Sequence, residues 1–454
     1  MPSNRNLPSS RSGRLSANPR RVALAVLRSV AEGAVPEDVL NLDGVMLSSK
    51  DMKLASALVR NCLRHQSRLD FTLNGKLTSA EKTPQIVRII LRIGLAQLLF
   101  FDRLAYHAVV NETTELAKRF SPGYEGLVNA ILRNLIRDKE TGPYWPQELD
   151  GRDTPAPTRL ATLYSHPNWL TDTFIRMWGL REAKALMVAN NQATTPTIRI
   201  NSRLGSLESI RTKFPFETTL TPFSPWGLKP VGFWGKVDHW KSYSEGFFNI
   251  QDEASQILPL LAKEPKNILD ACAGMGGKTF GLIDAFPQAQ VLCLDTNREK
   301  LSSLMAEAKR LKAPESIKVR KGDLLEMELA PEFDLVVVDA PCSCLGIIRR
   351  RPDIKWKRVP SDIWRFAKLQ SELLAAASKA VCPGGQLIYS VCTITLEEGP
   401  LVISDFVLNN DDFLLESQLP PVLDPMVYGP GQLLLLPHKH DTDGFYYAVL
   451  RKKG

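Results

Sequence analysis

The sequence predicts a multidomain chain: an all-α domain, a small α+β module, and a closing α/β domain of the doubly wound, Rossmann-like class. Three observations carry this expectation. At about 150 residues per domain, 454 residues allow roughly three domains. Apolar residues recur at helical spacing from Pro19 to about Lys139. After about Phe233, short apolar runs alternate with helical stretches, the texture of a parallel sheet wound with helices. A composition of 44% hydrophobic and 23% charged residues, with 28 Gly and 31 Pro, fits an ordinary globular protein and excludes collagen, bulk disorder and a disulfide scaffold. The net charge of +8 suits an anionic partner such as nucleic acid.

Residues 1–18 read as a basic disordered tail, because Arg5, Arg11 and Arg14 stand among Ser, Asn and Pro with no acid. The helical domain spans 19–142. Asn18 before Pro19 has the form of an N-cap and first helical position, and Val22, Ala25, Val26 and Val30 follow at three- and four-residue spacing. The same spacing recurs at Leu54, Ala57, Leu58 and Cys62, and through 85–101, 108–118 and 126–136. Thr141 to Pro157, rich in Pro and Gly, reads as a linker. The module at 158–230 then shows helical segments at 167–178 and 181–190 before a strand at 197–201. In the α/β domain, 231–454, strands are expected at 267–270, 290–295, 317–320, 334–339 and 386–391, and an antiparallel hairpin at 433–436 and 444–450.

No apolar run of secretory type opens the chain, and the greasiest stretch, 86–101, contains Arg88, Arg92 and Gln97; neither export nor a membrane span is expected. The seven cysteines form no CxxC pair and no even framework, which points to a reducing, cytoplasmic setting. No Cys or His cluster has zinc spacing, so no metal is expected.

The first α/β strand runs into DACAGMGGKT, Asp270 to Thr279, whose glycines allow a tight turn under a ligand before a helix opens. The next strand ends at Asp295, placed to accept ribose hydroxyls. An acid at the head of this loop disfavours a pyrophosphate and suits a cofactor carrying an ammonium group, a description that S-adenosyl-L-methionine meets. Asp323, just after the third strand, is a candidate for the adenine edge. The fourth strand ends in Asp339, Pro341 and Cys342, and the fifth delivers Cys392 to the same sheet edge. One cysteine alone is more often core; two at adjacent strand ends beside a cofactor loop and an aspartate suggest a nucleophile with an assistant. Such a pair suits methylation at pyrimidine carbon 5: a thiolate adds to carbon 6 and makes carbon 5 nucleophilic, an acid steadies the base edge, and a second group helps release the product. Downstream, RRRPDIKWKR supplies Arg349, Arg350, Arg351, Lys355 and Trp356 as a candidate phosphate-contacting wall.

Taken together, QDEAS, DACAGMGGKT, Asp295, Asp323, DAPCSCLGIIRRRPDIKW, YSVCTI and DGFYYAVL make the chain resemble the RNA 5-methylcytosine methyltransferases of the RsmB/Sun/NOP family. LRIGLAQLLF, HAVVNE and GLVNAILRN resemble that family's NusB-like RNA-binding domain, and SHPNWL opens a segment similar to its second accessory region. The resemblance implies a class I S-adenosyl-L-methionine-dependent methyltransferase acting on structured small-subunit ribosomal RNA, with 16S RNA as the target; a monomer is expected, because so large a substrate can itself bridge the domains. It implies Cys392 as the covalent nucleophile, Cys342 as the residue assisting release, and Asp339 as the base-binding acid. It also implies a cofactor held by Cys272, Ala273, Gly274, Met275, Gly276, Gly277, Lys278, Asp295, Asp323 and Asp339. The sequence departs from the family at Val391 and Thr393, where Thr-Cys-Ser is common, and at Cys344, where Gly is common. The alternatives are a non-catalytic RNA-binding factor, opposed by the presence of Cys392 and Asp339, and an N-methyltransferase, opposed by the paired cysteines.

Overall fold

The computed structural model describes residues 18–40, 47–141, 155–232, 237 and 240–454. The basic tail at 1–17 and most of the expected linker, 142–154, lie outside the described residues. The chain divides into two compact units: Met1–Asn191 with Arg351–Lys357, and Gln192–Arg350 with Arg358–Gly454.

The first unit is helical: α1 (Pro19–Ala31), α2 (Pro36–Leu40), α3 (Ser49–Arg64), α4 (Gln66–Asn74), α5 (Gln85–Phe100), α6 (Tyr106–Phe120), α7 (Glu125–Thr141), α8 (Ala156–Leu163) and α9 (Asn168–Asn190). Asn18 caps α1 as expected, its side chain accepting from the Arg20 amide at 2.9 Å, with Pro19 supplying a helical φ and no orphan donor. The periodic residues Val22, Val26, Leu58, Cys62, Ile90 and Leu132 all enter one core, because helical spacing puts them on one face. Helix α9 is broken at Gly179, whose backbone is left-handed, and this reproduces the two expected helical segments.

Helices α8 and α9 pack within the helical unit, where the Ser67 amide donates to Ser165 Oγ at 2.9 Å, and the division between the two compact units falls after Asn191. The strands that follow belong to the second unit. They are β1 (Ile198–Ile200), β2 (Thr218–Leu220), β3 (Gly227–Pro230) and β4 (Phe248–Ile250), in the antiparallel order β2-β3-β1-β4. The fully buried Arg199 of β1 pairs with Asp284, and Arg203 Nε reaches the same carboxylate at 2.7 Å, so this small sheet is tied into the α/β core by ionic contacts that periodicity does not reveal.

The main sheet contains β5 (Asn267–Asp270), β6 (Gln290–Asp295), β7 (Ile317–Lys321), β8 (Phe333–Asp339), β9 (Val381–Val391), β10 (Phe413–Leu415), β11 (Val427–Gly429), β12 (Gln432–Leu435) and β13 (Phe445–Lys452). Its order is β11-β12-β13-β9-β8-β5-β6-β7, with β10 also paired to β13. Strands β7, β6, β5, β8 and β9 are parallel, and β13 is antiparallel to β9. The five expected parallel strands are therefore present. The hairpin does not simply close an edge, since β13 lies between β12 and β9. The order in which successive strands are added reverses between β5 and β8, and a crevice opens there at the carboxyl ends of these parallel strands. Among the described residues, no helix is long and apolar enough to cross a membrane.

Candidate active site

A cavity of about 620 Å³ occupies that crevice. Its floor is the turn between β5 and the helix Gly277–Ala285: Cys272, Ala273, Gly274, Met275, Gly277 and Lys278 line it. Gly276 is absent from the lining and serves packing. Its φ is +85°, and a Cβ there would lie 2.7 Å from Phe280 and 2.8 Å from Leu304. Asp295, at the end of β6, braces the turn by accepting from the Gly274 amide at 3.0 Å, and it also lines the cavity.

Two acids are placed differently from the sequence expectation. Asp270, the acid read as facing the cofactor, is buried and accepts from Thr279 Oγ1 at 2.6 Å, outside the lining. Burial raises its carboxyl to about 6, against the Thr279 hydrogen bond and with help from Asp339. Asp323 caps the turn after β7, accepting from the Leu325 amide at 3.0 Å, and is also outside the lining. The cavity still suits a ligand with ribose and ammonium groups. Asp295 and Asp339 present carboxylates to it, and Gln251 Oε1 is buried beside it without a hydrogen-bond partner.

On the opposite wall stand Asp339, Pro341, Cys342, Cys344 and Cys392. Asp339 Oδ2 lies 2.6 Å from Lys278 Nζ, and its Oδ1 accepts from Ser390 Oγ at 2.8 Å. Cys342 and Cys392 approach to 3.3 Å between sulfurs, and Cys342 and Cys344 to 3.9 Å. Thiols this close share the first charge they acquire. Hydrogen bonding to Cys344 and to Cys392, then burial, pushes Cys342 up. Cys392 is lowered by its bond to Cys342, but Cys344 and burial outweigh this and hold it well above the ordinary thiol range. Cys344 is held well below that range by donation from Cys342 and Cys392, and Arg358 favours its thiolate.

The loop carrying these cysteines is held by Arg358 and Gly346 and by Glu398, which lies outside the sequence motifs. Glu398 is 0% exposed. It accepts from the Ser343 amide at 2.8 Å, Thr395 Oγ1 at 3.0 Å and Gln370 Nε2 at 3.1 Å. Arg358 Nε donates to the Ser343 carbonyl at 2.8 Å. Gly346 touches the Gly444 backbone so closely that a Cβ would fall 2.0 Å from the carbonyl oxygen. The segments at 249–255 and 441–445, which look like ordinary polar loops in sequence, also contribute: Asn249, Gln251, Asp252, Ser255 and Phe445 line the cavity.

The expected phosphate-contacting wall is corrected. Only Arg350 faces the cavity, and it pairs with Asp443, whose carboxyl burial raises to about 6. Arg349 is locked among Asp441 (3.1 Å), Asp443 (3.2 Å) and Asp252 (3.5 Å). Arg351 pairs with Asp353 at 2.9 Å. Lys355 is fully buried in the helical unit, donating to the Arg64 carbonyl at 2.8 Å and to Asn191 Oδ1 at 3.0 Å. Trp356 Nε1 donates to the Leu63 carbonyl at 2.6 Å, and its ring packs on the helical core. The run reads as a phosphate-contacting wall in sequence because most of the carbonyls and acids that engage it lie far away along the chain.

The sheet order, the glycine turn at the switch point and the acid at the end of β6 define an S-adenosyl-L-methionine-dependent methyltransferase of class I. Comparison with known proteins narrows the class. The sequence model described as "16S rRNA methyltransferase RsmB/F" matches residues 257–451, that of the NusB family matches 17–137, and that of the RsmF/B-like ferredoxin-like domain matches 166–228. The chain is 32% identical to the probable ribosomal RNA small subunit methyltransferase B of Synechocystis sp. over 454 residues, covering 95% of this chain and 99% of that one. It is likewise 32% identical to ribosomal RNA small subunit methyltransferase B of Klebsiella pneumoniae (strain 342) over 440 residues, covering 95% and 97%. Among solved structures, the one titled "Crystal Structure of PH0851" superposes with a TM-score of 0.75 at 22% identity, covering 97% of this chain and 100% of that chain. NSun6 from Pyrococcus horikoshii with SFG superposes with a TM-score of 0.57 at 20% identity, covering 64% and 100%. These last two show the fold. The chain belongs to the RsmB/F family of 16S rRNA methyltransferases.

Proposed function

We propose that this methyltransferase acts on carbon 5 of a cytosine in 16S ribosomal RNA, through a covalent bond between Cys392 and carbon 6. The observation that carries this reading is the 3.3 Å approach of the Cys342 and Cys392 sulfurs in one cavity with Asp339. Cys272–Lys278 and Asp295 would hold S-adenosyl-L-methionine, which would supply an electrophilic methyl group there. Cys392 gives up its thiol proton to solvent in the cavity as its sulfur adds to carbon 6, and this leaves carbon 5 enamine-like. Asp339, fixed by Lys278 and Ser390, accepts from the exocyclic amine and so orients the base for attack. After the methyl is in place, Cys342, once it has released its own proton to solvent, takes the proton from carbon 5 as a thiolate. The electron pair re-forms the 5,6 double bond and expels the Cys392 thiolate. The target base reaches so deep a cavity by leaving its stack.

The test is a denaturing gel of protein incubated with cofactor and unmodified 16S RNA, with labelled methyl followed in parallel. Cys342→Ala is expected to accumulate a protein–RNA band, and Cys392→Ala to lose both the band and methyl transfer. The reverse pattern exchanges the two roles. Transfer unaffected by either change sinks the carbon 5 mechanism and favours a nitrogen acceptor.

A further inference from the structure

The sequence expectation of no metal rests on spacing, and spacing does not see what the fold assembles. Cys342 follows β8, Cys392 follows β9, and Cys344 comes from the loop between them. Their three sulfurs lie within 4.8 Å of one another, with separations of 3.3 Å and 3.9 Å from Cys342 to its two neighbours. Thiolates bound about 2.3 Å from one ion at near-tetrahedral angles stand about 3.8 Å apart. The trio needs only small side-chain adjustments to meet that figure.

Cys344 is the informative member. Its φ is +61°, a left-handed backbone that residues other than glycine rarely adopt. A cysteine in that conformation turns its sulfur back beside Cys342, within 3.5 Å of the Cys342 carbonyl. Carbon 5 methylation as derived above uses two thiols and gives the third no task. All three cysteines line the cavity, so a fourth coordination position is open to water or a small ligand.

We propose that Cys342, Cys344 and Cys392 form a trithiolate site for one thiophilic metal ion of the Zn(II), Cd(II) or Cu(I) class. All-sulfur donation selects such ions over Mg2+, Ca2+ and Mn2+. Three protein ligands with one open position make an exchangeable site, unlike the closed four-ligand site of a structural zinc. Binding displaces the thiol protons remaining on the three sulfurs, and occupancy removes both reactive sulfurs from the reach of a cytosine.

The experiment uses the full chain, reduced and metal-free, titrated with cadmium chloride in the absence of RNA and cofactor. The ultraviolet sulfur-to-cadmium absorption is read at each addition. The expected result is one tightly bound ion per chain with the intensity of three sulfur–cadmium bonds. Cys344→Ala should lose a third of that intensity and weaken binding at least 30-fold, while Cys272→Ala and Cys62→Ala leave both unchanged. Wild-type affinity and intensity in Cys344→Ala, or loss of binding in Cys272→Ala, overturns the proposal. Because neither RNA nor methyl transfer enters the assay, its outcome is independent of the carbon 5 reading.

Discussion

Lys278 Nζ lies 2.6 Å from Asp339 Oδ2, joining the cofactor turn after β5 to the acid at the end of β8. The ammonium also sits 4.9 Å from the Phe445 ring centroid, so it is held from two sides while remaining nearly buried. Removing it leaves the Asp339 carboxylate with Ser390 alone. Lys278→Met is therefore expected to lower kcat/KM for methyl transfer by about 10- to 100-fold, corresponding to about 1.4–2.8 kcal/mol. Lys278→Arg should retain more activity. Steady-state kinetics with unchanged far-ultraviolet circular dichroism check this, and wild-type kinetics in Lys278→Met would remove Lys278 from the site's machinery.

Glu398 joins the Cys342 loop to the segment after Cys392. Glu398→Ala orphans the Ser343 amide and takes one acceptor from Thr395 and from Gln370, which keeps the Pro341 carbonyl; this predicts a loss of about 3 kcal/mol in stability. Burial raises the Glu398 carboxyl despite these bonds, so the neutral Glu398→Gln should lose less. Hydrogen exchange at the Ser343 amide reports the local effect, with faster exchange expected in the alanine variant.

Asp270 gives a pH dependence of definite sign. Its carboxyl is raised from 3.8 to about 6. Between those values the folded chain holds a proton that the unfolded chain has released, so this group's contribution to stability falls as pH rises through the window, by up to about 3 kcal/mol. Asp270→Asn lacks the titration and keeps an acceptor for Thr279. Its stability relative to wild type should climb from about pH 4 to about pH 6 and then level, as followed by urea unfolding at a series of pH values.

Lys355 predicts the opposite slope. Burial first, then the charge of Arg64, holds its ammonium well below 10.5. Above the lowered value and up to about 10.5 the unfolded chain binds more protons than the folded one, so stability rises with pH. Lys355→Met should flatten this rise. Unfolding midpoints measured from neutral to alkaline pH, with an unchanged slope in the variant, would show that Lys355 is not buried in solution.

The sequence by itself determined the helical periodicity of 19–139, the five parallel strands and the identity of the cavity's main groups, because each depends on spacing within a short segment. Asn18 and Pro19 start α1 through local hydrogen bonding and a fixed φ; Asp339, Cys342 and Cys392 reach one edge because parallel strands all end there. Only the tertiary structure decided where polar groups find partners. Asp270 turns to Thr279, Arg349 to three aspartates, and Lys355 and Trp356 to carbonyls nearly 300 residues away, because a buried donor or charge must be satisfied wherever the fold supplies an acceptor. The same long-range convergence places Cys344 against Cys342 and Cys392 and gives Glu398 its hold on the catalytic loop. Neither relationship has a period or a motif that a linear reading detects.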